Sequence, residues 1–168
     1  MFLSVFDIFK IGVGPSSSHT MGPMTAAGAF LTLMRQSPSG QDARAIRATL
    51  HGSLAFTGKG HATDRAVALG LLGWLPATLD FDEAEAELKA LASRHRLRPD
   101  GLPPLVFDPA DDIVFDYGPS LPGHSNGLVF EALGAAGAVL VQETYYSIGG
   151  GFVVTARERD AVEPASNA

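Results

Sequence analysis

The sequence predicts an α+β domain in which helices pack against a mixed β-sheet. Helical and strand patterns alternate irregularly along the chain, and two strands near its end are close enough to form a hairpin. The 168 residues are 46% hydrophobic and 18% charged, which is typical of a folded domain and far from the composition of a disordered chain. A domain of this length can bury a sizeable apolar core.

Four helices are predicted from capping residues and apolar spacing. Ser4 is an N-cap for the first, Pro23 suits the first turn of the second, and Asp82 is an N-cap for the last. The last helix is acidic at its start and basic at its end, as the helix dipole prefers. The helices are expected over residues 4–10, 21–36, 65–72 and 81–98.

The strands are predicted from alternating or continuous apolar runs. Residues 46–50 alternate between apolar and polar side chains, as a half-buried strand does, and this strand is expected to run towards Phe56. Further strands are expected over residues 113–115, 127–133, 138–146 and 152–155. We place the folded domain at residues 1–155 and expect residues 156–168, which are polar, to be a linker towards another domain.

Charge and composition exclude several classes of partner. The net charge of −6 and the pI near 5.2 argue against a nucleic-acid partner, because binding to phosphates needs clustered Lys and Arg. No apolar run approaches the roughly 20 residues that cross a bilayer, so we expect no membrane association and a cytoplasmic location. The sequence has no Cys, so we predict no metal site built from this chain alone.

A polar loop precedes the helix predicted over residues 21–36. It consists of Ser16, Ser17, Ser18, His19 and Thr20. The unpaired N–H groups at a helix start favour an anion, so this loop could bind a carboxylate or a phosphate. A Ser-rich loop that only caps the helix has the same pattern.

A second loop, rich in glycine, leads into the next helix. It contains Lys59, Gly60, His61, Thr63 and Asp64. An imidazole titrates near neutral pH and the glycines allow a close approach, so His61 is the best candidate for a general base. The alternative is a tight turn in which Asp64 holds His61 as a structural pair.

Two later segments could complete a site. A polar turn consists of His124, Ser125 and Asn126. A Gly-rich segment consists of Ser147, Gly149, Gly150 and Gly151. Backbone N–H groups of the second segment could face an anion or a docking partner, although a hairpin entrance and a Gly-rich bulge would look the same. We predict that the first two loops and the turn at 123–127 converge into one polar pocket.

Four motifs of this chain, taken together and in their order along the sequence, carry more information than any one of them. They cover residues 4–20, 52–64, 124–127 and 145–152. In sequence and order they resemble the N-terminal beta domain of the bacterial iron-sulfur-dependent L-serine dehydratases. The resemblance spans about residues 3–155.

The resemblance implies a fold similar to the allosteric substrate-binding domain of D-3-phosphoglycerate dehydrogenase. It also implies a two-part enzyme of serine catabolism and gluconeogenesis, homodimeric in its full form, that converts L-serine to pyruvate and ammonia. In that enzyme an alpha domain or subunit holds a 4Fe-4S cluster through its own cysteines, and the beta domain covers the cluster. The beta domain alone is then expected to be inactive.

The resemblance also implies roles for the residues of the motifs. His61 matches the position proposed in the family for the base that removes the α-proton. Residues expected near the substrate or cluster are Ser16, Ser17, Ser18, His19, Thr20, Lys59, Gly60, Thr63, Asp64, His124, Ser125 and Asn126. Residues expected at the domain contact are Ser147, Gly149, Gly150 and Gly151. The alternatives are a regulatory module that binds a small carboxylate without catalysis and a structural docking domain.

Overall fold

A seven-stranded mixed sheet is the centre of the computed structural model, which describes residues 17–162. Its strands are β1 (Ala45–Leu50), β2 (Arg96–Leu97), β3 (Leu105–Val106), β4 (Ile113–Phe115), β5 (Gly127–Leu133), β6 (Val139–Gly149) and β7 (Phe152–Thr155). Their order is β2-β3-β1-β5-β6-β7, and β4 also pairs with β1. Strand β1 is parallel to β3 and β4, whereas the other pairs are antiparallel. The predicted α+β class with a mixed sheet is confirmed.

Five α-helices accompany the sheet within the described residues. They are α1 (Met21–Gln36), α2 (Ser53–Phe56), α3 (Thr63–Leu71), α4 (Phe81–Arg94) and α5 (Ala156–Val162). Short 3-10 turns cover Pro38–Asp42 and Ala135–Gly137. The helix predicted over residues 4–10 and the site residue Ser16 lie outside the described residues.

The core lies between the helices and one face of the sheet. In β1, the apolar residues Ile46, Ala48 and Leu50 are fully buried, while the residues between them are half-buried. Helix α1 places the ring of Phe30 against that of Phe130 in β5, with centroids 5.3 Å apart. The opposite face carries polar side chains, among them an ion pair of 3.1 Å between Arg47 and Glu131. The sheet is therefore amphipathic, as the alternating pattern of β1 predicts.

Helices α1 and α3 pack closely because a glycine stands at their contact. A Cβ atom at Gly70 would lie 2.4 Å from the carbonyl oxygen of Met24 and 2.6 Å from the Cβ of Ala27. Any side chain there would force the helices apart. This contact fixes α3, the helix that follows the His61 loop, relative to α1, the helix that follows the His19 loop.

The first strand is shorter than predicted. It ends at Leu50 instead of running towards Phe56, because Gly52 adopts φ +56° and turns the chain into helix α2. A Cβ at Gly52 would lie 2.3 Å from the carbonyl oxygen of Ser125, so only glycine fits this turn. The consequence is that residues 53–57 lie above the end of the sheet instead of inside it.

Helix α4 ends earlier than predicted. Its N-cap is Asp80, whose carboxylate accepts a hydrogen bond from the backbone N of Glu83, instead of Asp82. It stops at Arg94 because His95 takes a left-handed conformation with φ +53°. The two residues that follow form β2, a strand too short for its pattern to be recognised in sequence.

Residues 156–162, predicted from their polar composition to be part of a linker, form helix α5. Thr155 and Glu158 make a capping box: the Thr155 hydroxyl accepts from the backbone N of Glu158, and the Glu158 carboxylate accepts from the backbone N of Thr155, both at 3.2 Å. The guanidinium of Arg159 lies 4.9 Å from the centre of the Tyr146 ring. This helix therefore packs on β6.

Candidate active site

Strand ends and helix starts meet at one end of the sheet. Leu50 at the end of β1 pairs with Leu128 near the start of β5, and Gly127 pairs with Tyr146 near the end of β6. The loops that leave or enter these strands therefore lie side by side. These connections are the Gly-rich loop that contains His61, the turn at 124–126 and the segment at 147–151. The polar loop that contains His19 lies beside them, at the start of α1.

His19 lies at the centre of this cluster. Its side chain is buried, and its Nε2 atom lies 2.9 Å from the Thr57 hydroxyl and 3.1 Å from the Ser53 hydroxyl. The Thr57 hydroxyl donates its proton to the Ser53 carbonyl at 2.7 Å, so Nε2 of His19 is left to donate to Thr57. Nδ1 then accepts from Ser18 at 2.9 Å. This pattern favours a neutral imidazole with its proton on Nε2.

The electrostatic surroundings of His19 favour the same neutral state. Burial lowers the pKa of His19 below its ordinary value of 6.5, and the nearby His61 lowers it further. A hydrogen bond with Ser53 opposes this shift without cancelling it. His19 is therefore neutral at neutral pH.

His61 packs directly on His19. The two ring centroids are 4.8 Å apart, with the planes tilted by 50°. The backbone N of His61 donates to the Thr57 carbonyl, and the side chain is half-buried. Among the described residues no side chain holds the imidazole of His61, and Asp64 accepts from the backbone N of Arg65 instead. The pairing of His61 with Asp64 that the sequence allowed is not formed.

Three buried polar atoms near these loops have no hydrogen-bond partner within residues 17–162. They are the hydroxyl oxygens of Thr63 and Ser147 and the side-chain carbonyl oxygen of Asn126. Thr63 and Ser147 are completely buried. An unpaired buried polar group costs about 1–3 kcal/mol, and native proteins contain few of them. These atoms therefore lower the stability of this end of the domain.

The turn at 124–126 is joined to the Gly-rich segment. Ser147 donates from its backbone N to the Asn126 carbonyl at 3.0 Å, and the Asn126 side-chain NH₂ donates to the Ser147 carbonyl at 3.3 Å. The neighbouring residue, Ser125, accepts from the backbone N of Ser53 at 2.8 Å. Because Ser53 also contacts His19, the turn, the Gly-rich segment and both loops form one connected cluster.

The first loop also touches the Gly-rich segment. The backbone N of Gly150 donates to the Ser17 hydroxyl at 3.1 Å. A Cβ at Gly22 would lie 1.9 Å from the Ser147 hydroxyl, so the start of α1 can approach β6 only because residue 22 is glycine. Gly149, Gly150 and Gly151 all have positive φ and form the tight turn between β6 and β7. Thr20 is buried at the start of α1, although its side chain makes no capping hydrogen bond to the helix.

Some predicted site residues have their observed contacts with groups other than the two histidines. Lys59 is exposed and its ammonium lies 5.3 Å from the centre of the Phe115 ring. The Nδ1 of His124 accepts from the backbone N of Asn126, and its ring lies 6.4 Å from that of Tyr146. Gly60 is exposed beside Lys59. Sequence reasoning missed Gly22, Ser53 and Thr57 as individual positions, although residues 52–64 belong to the motifs that it recognised.

An apolar rim borders the polar cluster. It consists of Phe56, Tyr117, Ile148 and Phe152, which are 63%, 58%, 51% and 70% exposed. The rings of Phe56 and Tyr117 contact each other at 5.4 Å. Apolar side chains exposed around a polar centre are typical of a surface that another domain covers.

The fold and the cluster define a class of protein: an α+β domain with histidine and hydroxyl side chains gathered at one end of a mixed sheet. The family model for the serine dehydratase beta chain matches residues 4–158. This chain belongs to the serine dehydratase beta chain family.

Similar curated proteins carry the name L-serine dehydratase. The chain is 44% identical to the protein from Streptomyces coelicolor over 162 residues, which cover 96% of this chain and 35% of the relative. It is 46% identical to that of Mycobacterium tuberculosis over 92% of this chain, and 42% identical to L-serine dehydratase 2 of Escherichia coli over 90%. The chain spans about a third of the length of these relatives.

Within residues 17–162, no group of three or more His, Cys, Asp or Glu side chains could hold a metal ion. No helix in this range combines the length and the apolarity needed to cross a membrane.

Proposed function

We propose that this chain is the beta part of an L-serine dehydratase, which converts L-serine to pyruvate and ammonia. The observation that supports this proposal is the polar cluster, where a neutral His19 contacts His61, whose half-buried imidazole has no hydrogen-bonding side chain among the described residues. A serine molecule offers the ammonium, carboxylate and hydroxyl groups that such donors and acceptors bind. The relatives named L-serine dehydratase make this substrate the first to test.

The reaction is a β-elimination followed by hydrolysis. A base removes the α-proton of L-serine, the Cα–H electrons form the Cα–Cβ double bond, and the β-hydroxyl departs as water after protonation. The resulting aminoacrylate takes up water and releases ammonia, which leaves pyruvate. The α-proton is weakly acidic and hydroxide is a poor leaving group, so the enzyme must supply both a placed base and assistance to the leaving oxygen.

His61 is our candidate for that base. Its imidazole is half-buried and forms no hydrogen bond with a described side chain. His19 cannot fill this role as easily, because its Nε2 proton is directed to Thr57 and its Nδ1 is occupied by Ser18.

The resemblance also implies a 4Fe-4S cluster, and the residues of this chain do not fit its ligation. The sequence has no Cys and the described residues contain no metal-binding group. We therefore propose that cysteines of the alpha region hold the cluster, which when bound supplies a Lewis acid for the departing oxygen. The proposed contribution of this chain is to bind and orient L-serine and to take the proton.

The remaining parts of the proposal concern assembly. The apolar rim and the turn at Gly149–Gly151 are proposed as the surface that the alpha region covers. That complex would exclude water from the polar cluster around His19 and His61. We further propose that the full enzyme is a homodimer in the cytoplasm.

The test is to purify the chain alone and together with its alpha region under anaerobic conditions. We expect the isolated chain to be folded, colourless and unable to form pyruvate from L-serine. The complex should be brown and should release pyruvate and ammonia in equal amounts. Pyruvate formed by the isolated chain, or a folded, cluster-loaded complex that binds L-serine without turning it over, would contradict the proposal; the latter result would support the regulatory alternative.

A further inference from the structure

A cavity of about 480 Å³ lies away from the polar cluster, at the other end of helix α3. Thr63 of the cluster begins this helix, whereas Leu71 at its end and the following Leu72 line the cavity. Nine helical residues separate the two places by roughly 12 Å. The cavity is therefore distinct from the His61 site.

One wall of the cavity is apolar and the other is basic. Leu71, Leu72 and Leu91 form the apolar wall, and the basic wall consists of Arg94, Arg96 and Arg98. The apolar residues are buried or half-buried, so this wall is part of the protein core. The arginines are exposed, so they can reach a ligand from solvent.

The local backbone explains why three arginines face one cavity. Arg94 is in the last turn of α4, and His95 turns the chain sharply by adopting a left-handed conformation. The chain then continues into β2, where side chains alternate between the two faces. Leu97 points into the core, so Arg96 and Arg98 on either side of it point outward together.

These arginines have no acidic partner within the described part of the chain. Arg47 and Arg65, in contrast, are paired with Glu131 and Glu85 at 3.1 and 2.6 Å. The acidic residue at the cavity, Glu87, accepts a hydrogen bond of 2.6 Å from the indole nitrogen of Trp74. Three guanidinium groups and one carboxylate leave a net charge of two positive units around the cavity.

We propose that this cavity binds a small organic dianion, such as an aliphatic dicarboxylate. The guanidinium group matches a carboxylate through two parallel hydrogen bonds, and two negative charges balance the cavity. The leucine wall provides a surface for the carbon chain between the carboxylates. The volume lies within the range of about 300–1,000 Å³ that is usual for small-molecule sites. This inference is independent of the proposed serine dehydratase activity.

The test is titration calorimetry of the chain with glutarate, combined with NMR of labelled leucine methyl groups. We expect saturable binding at millimolar glutarate that shifts the methyl signals of Leu71, Leu72 and Leu91. The variants Arg96→Gln and Arg98→Gln should each weaken the affinity by roughly tenfold. The matched control is Arg157→Gln, which removes the same charge from an exposed arginine of α5 outside the cavity and should leave the affinity unchanged.

Two further ligands test separately whether the cavity recognises the charge and the carbon chain of the dicarboxylate. The uncharged glutaramide should not bind, because it lacks the charge that the arginines recognise. Inorganic phosphate should bind at least several-fold more weakly, because it has no carbon chain for the leucine wall. The proposal is overturned if glutarate does not bind, if phosphate binds equally well, or if the Arg157→Gln and Arg96→Gln variants lose the same affinity.

Discussion

His19 and His61 are two histidines in contact, yet their surroundings give them different burial and different hydrogen bonds. His19 is buried and both ring nitrogens have hydroxyl partners, whereas His61 is half-buried without a side-chain partner among the described residues. Sequence reasoning could identify His61 from its Gly-flanked turn. It could not assign the state of His19, because that depends on Ser53 and Thr57, which approach only in the folded chain.

The lowered pKa of His19 predicts a pH dependence of stability. Below about pH 6.5 the unfolded chain takes up a proton at residue 19 that the folded chain resists, so this residue's contribution is present above that pH and is lost as the pH falls towards its folded pKa. Urea unfolding at about pH 8 and about pH 5.5 should therefore show a smaller loss of stability in His19→Asn than in the unmodified chain. An equal loss in both proteins would show that His19 titrates normally.

At the scale of elements, helices and strands with a sequence pattern several residues long were predictable, whereas the local turns that end them were not. Helix α1 has the predicted bounds and β5 and β7 match their patterns, because each has an uninterrupted apolar periodicity. The end of β1 was missed because it depends on the contact of Gly52 with Ser125, which is distant in sequence. The capping box of α5 was readable, since Thr155 and Glu158 have the required spacing, but the polar composition of the tail suggested a linker.

The packing of α1 on α3 predicts opposite effects for two glycine substitutions. Gly70→Ala should lower the free energy of unfolding by about 1–3 kcal/mol, because its Cβ would meet the backbone of α1 at 2.4 Å. Gly28→Ala, also within a helix, meets only Leu75 at 3.4 Å and should raise stability by about 0.5–1 kcal/mol through helix propensity. Urea unfolding measures both. Two changes of the same sign would show that the helices do not pack as described.

At the scale of the whole molecule, the chain exposes an apolar rim beside the polar cluster, and it covers about a third of the length of its curated relatives. Both observations are explained if the polar cluster is completed by another part of the enzyme. The sequence motifs indicated which loops form the polar cluster. They could not reveal the rim, since exposure of an apolar residue depends on its neighbours in the fold.

The apolar rim predicts which substitutions weaken assembly. Phe56→Ser and Phe152→Ser should each reduce the affinity for a separately supplied alpha region by roughly tenfold or more, because large exposed aromatic residues dominate protein contacts. The control is Val139→Ser, which changes a residue that is 48% exposed at the other end of β6. Calorimetric or surface-binding measurements give the affinities. If Val139→Ser lowers the affinity for the alpha region as much as the two Phe variants do, the rim is not the contact surface.

The central claim is that the cluster around His61 removes the α-proton of L-serine. The most direct measurement is the kcat of the His61→Asn variant in the assembled enzyme, with the iron-sulfur absorption recorded on the same sample. Our account predicts a fall in kcat of about 10² to 10⁴ with the absorption unchanged, and a parallel loss of solvent exchange at the α-carbon. A near-normal kcat with only a raised KM would contradict it, and His61 would then orient the substrate instead of acting as the base.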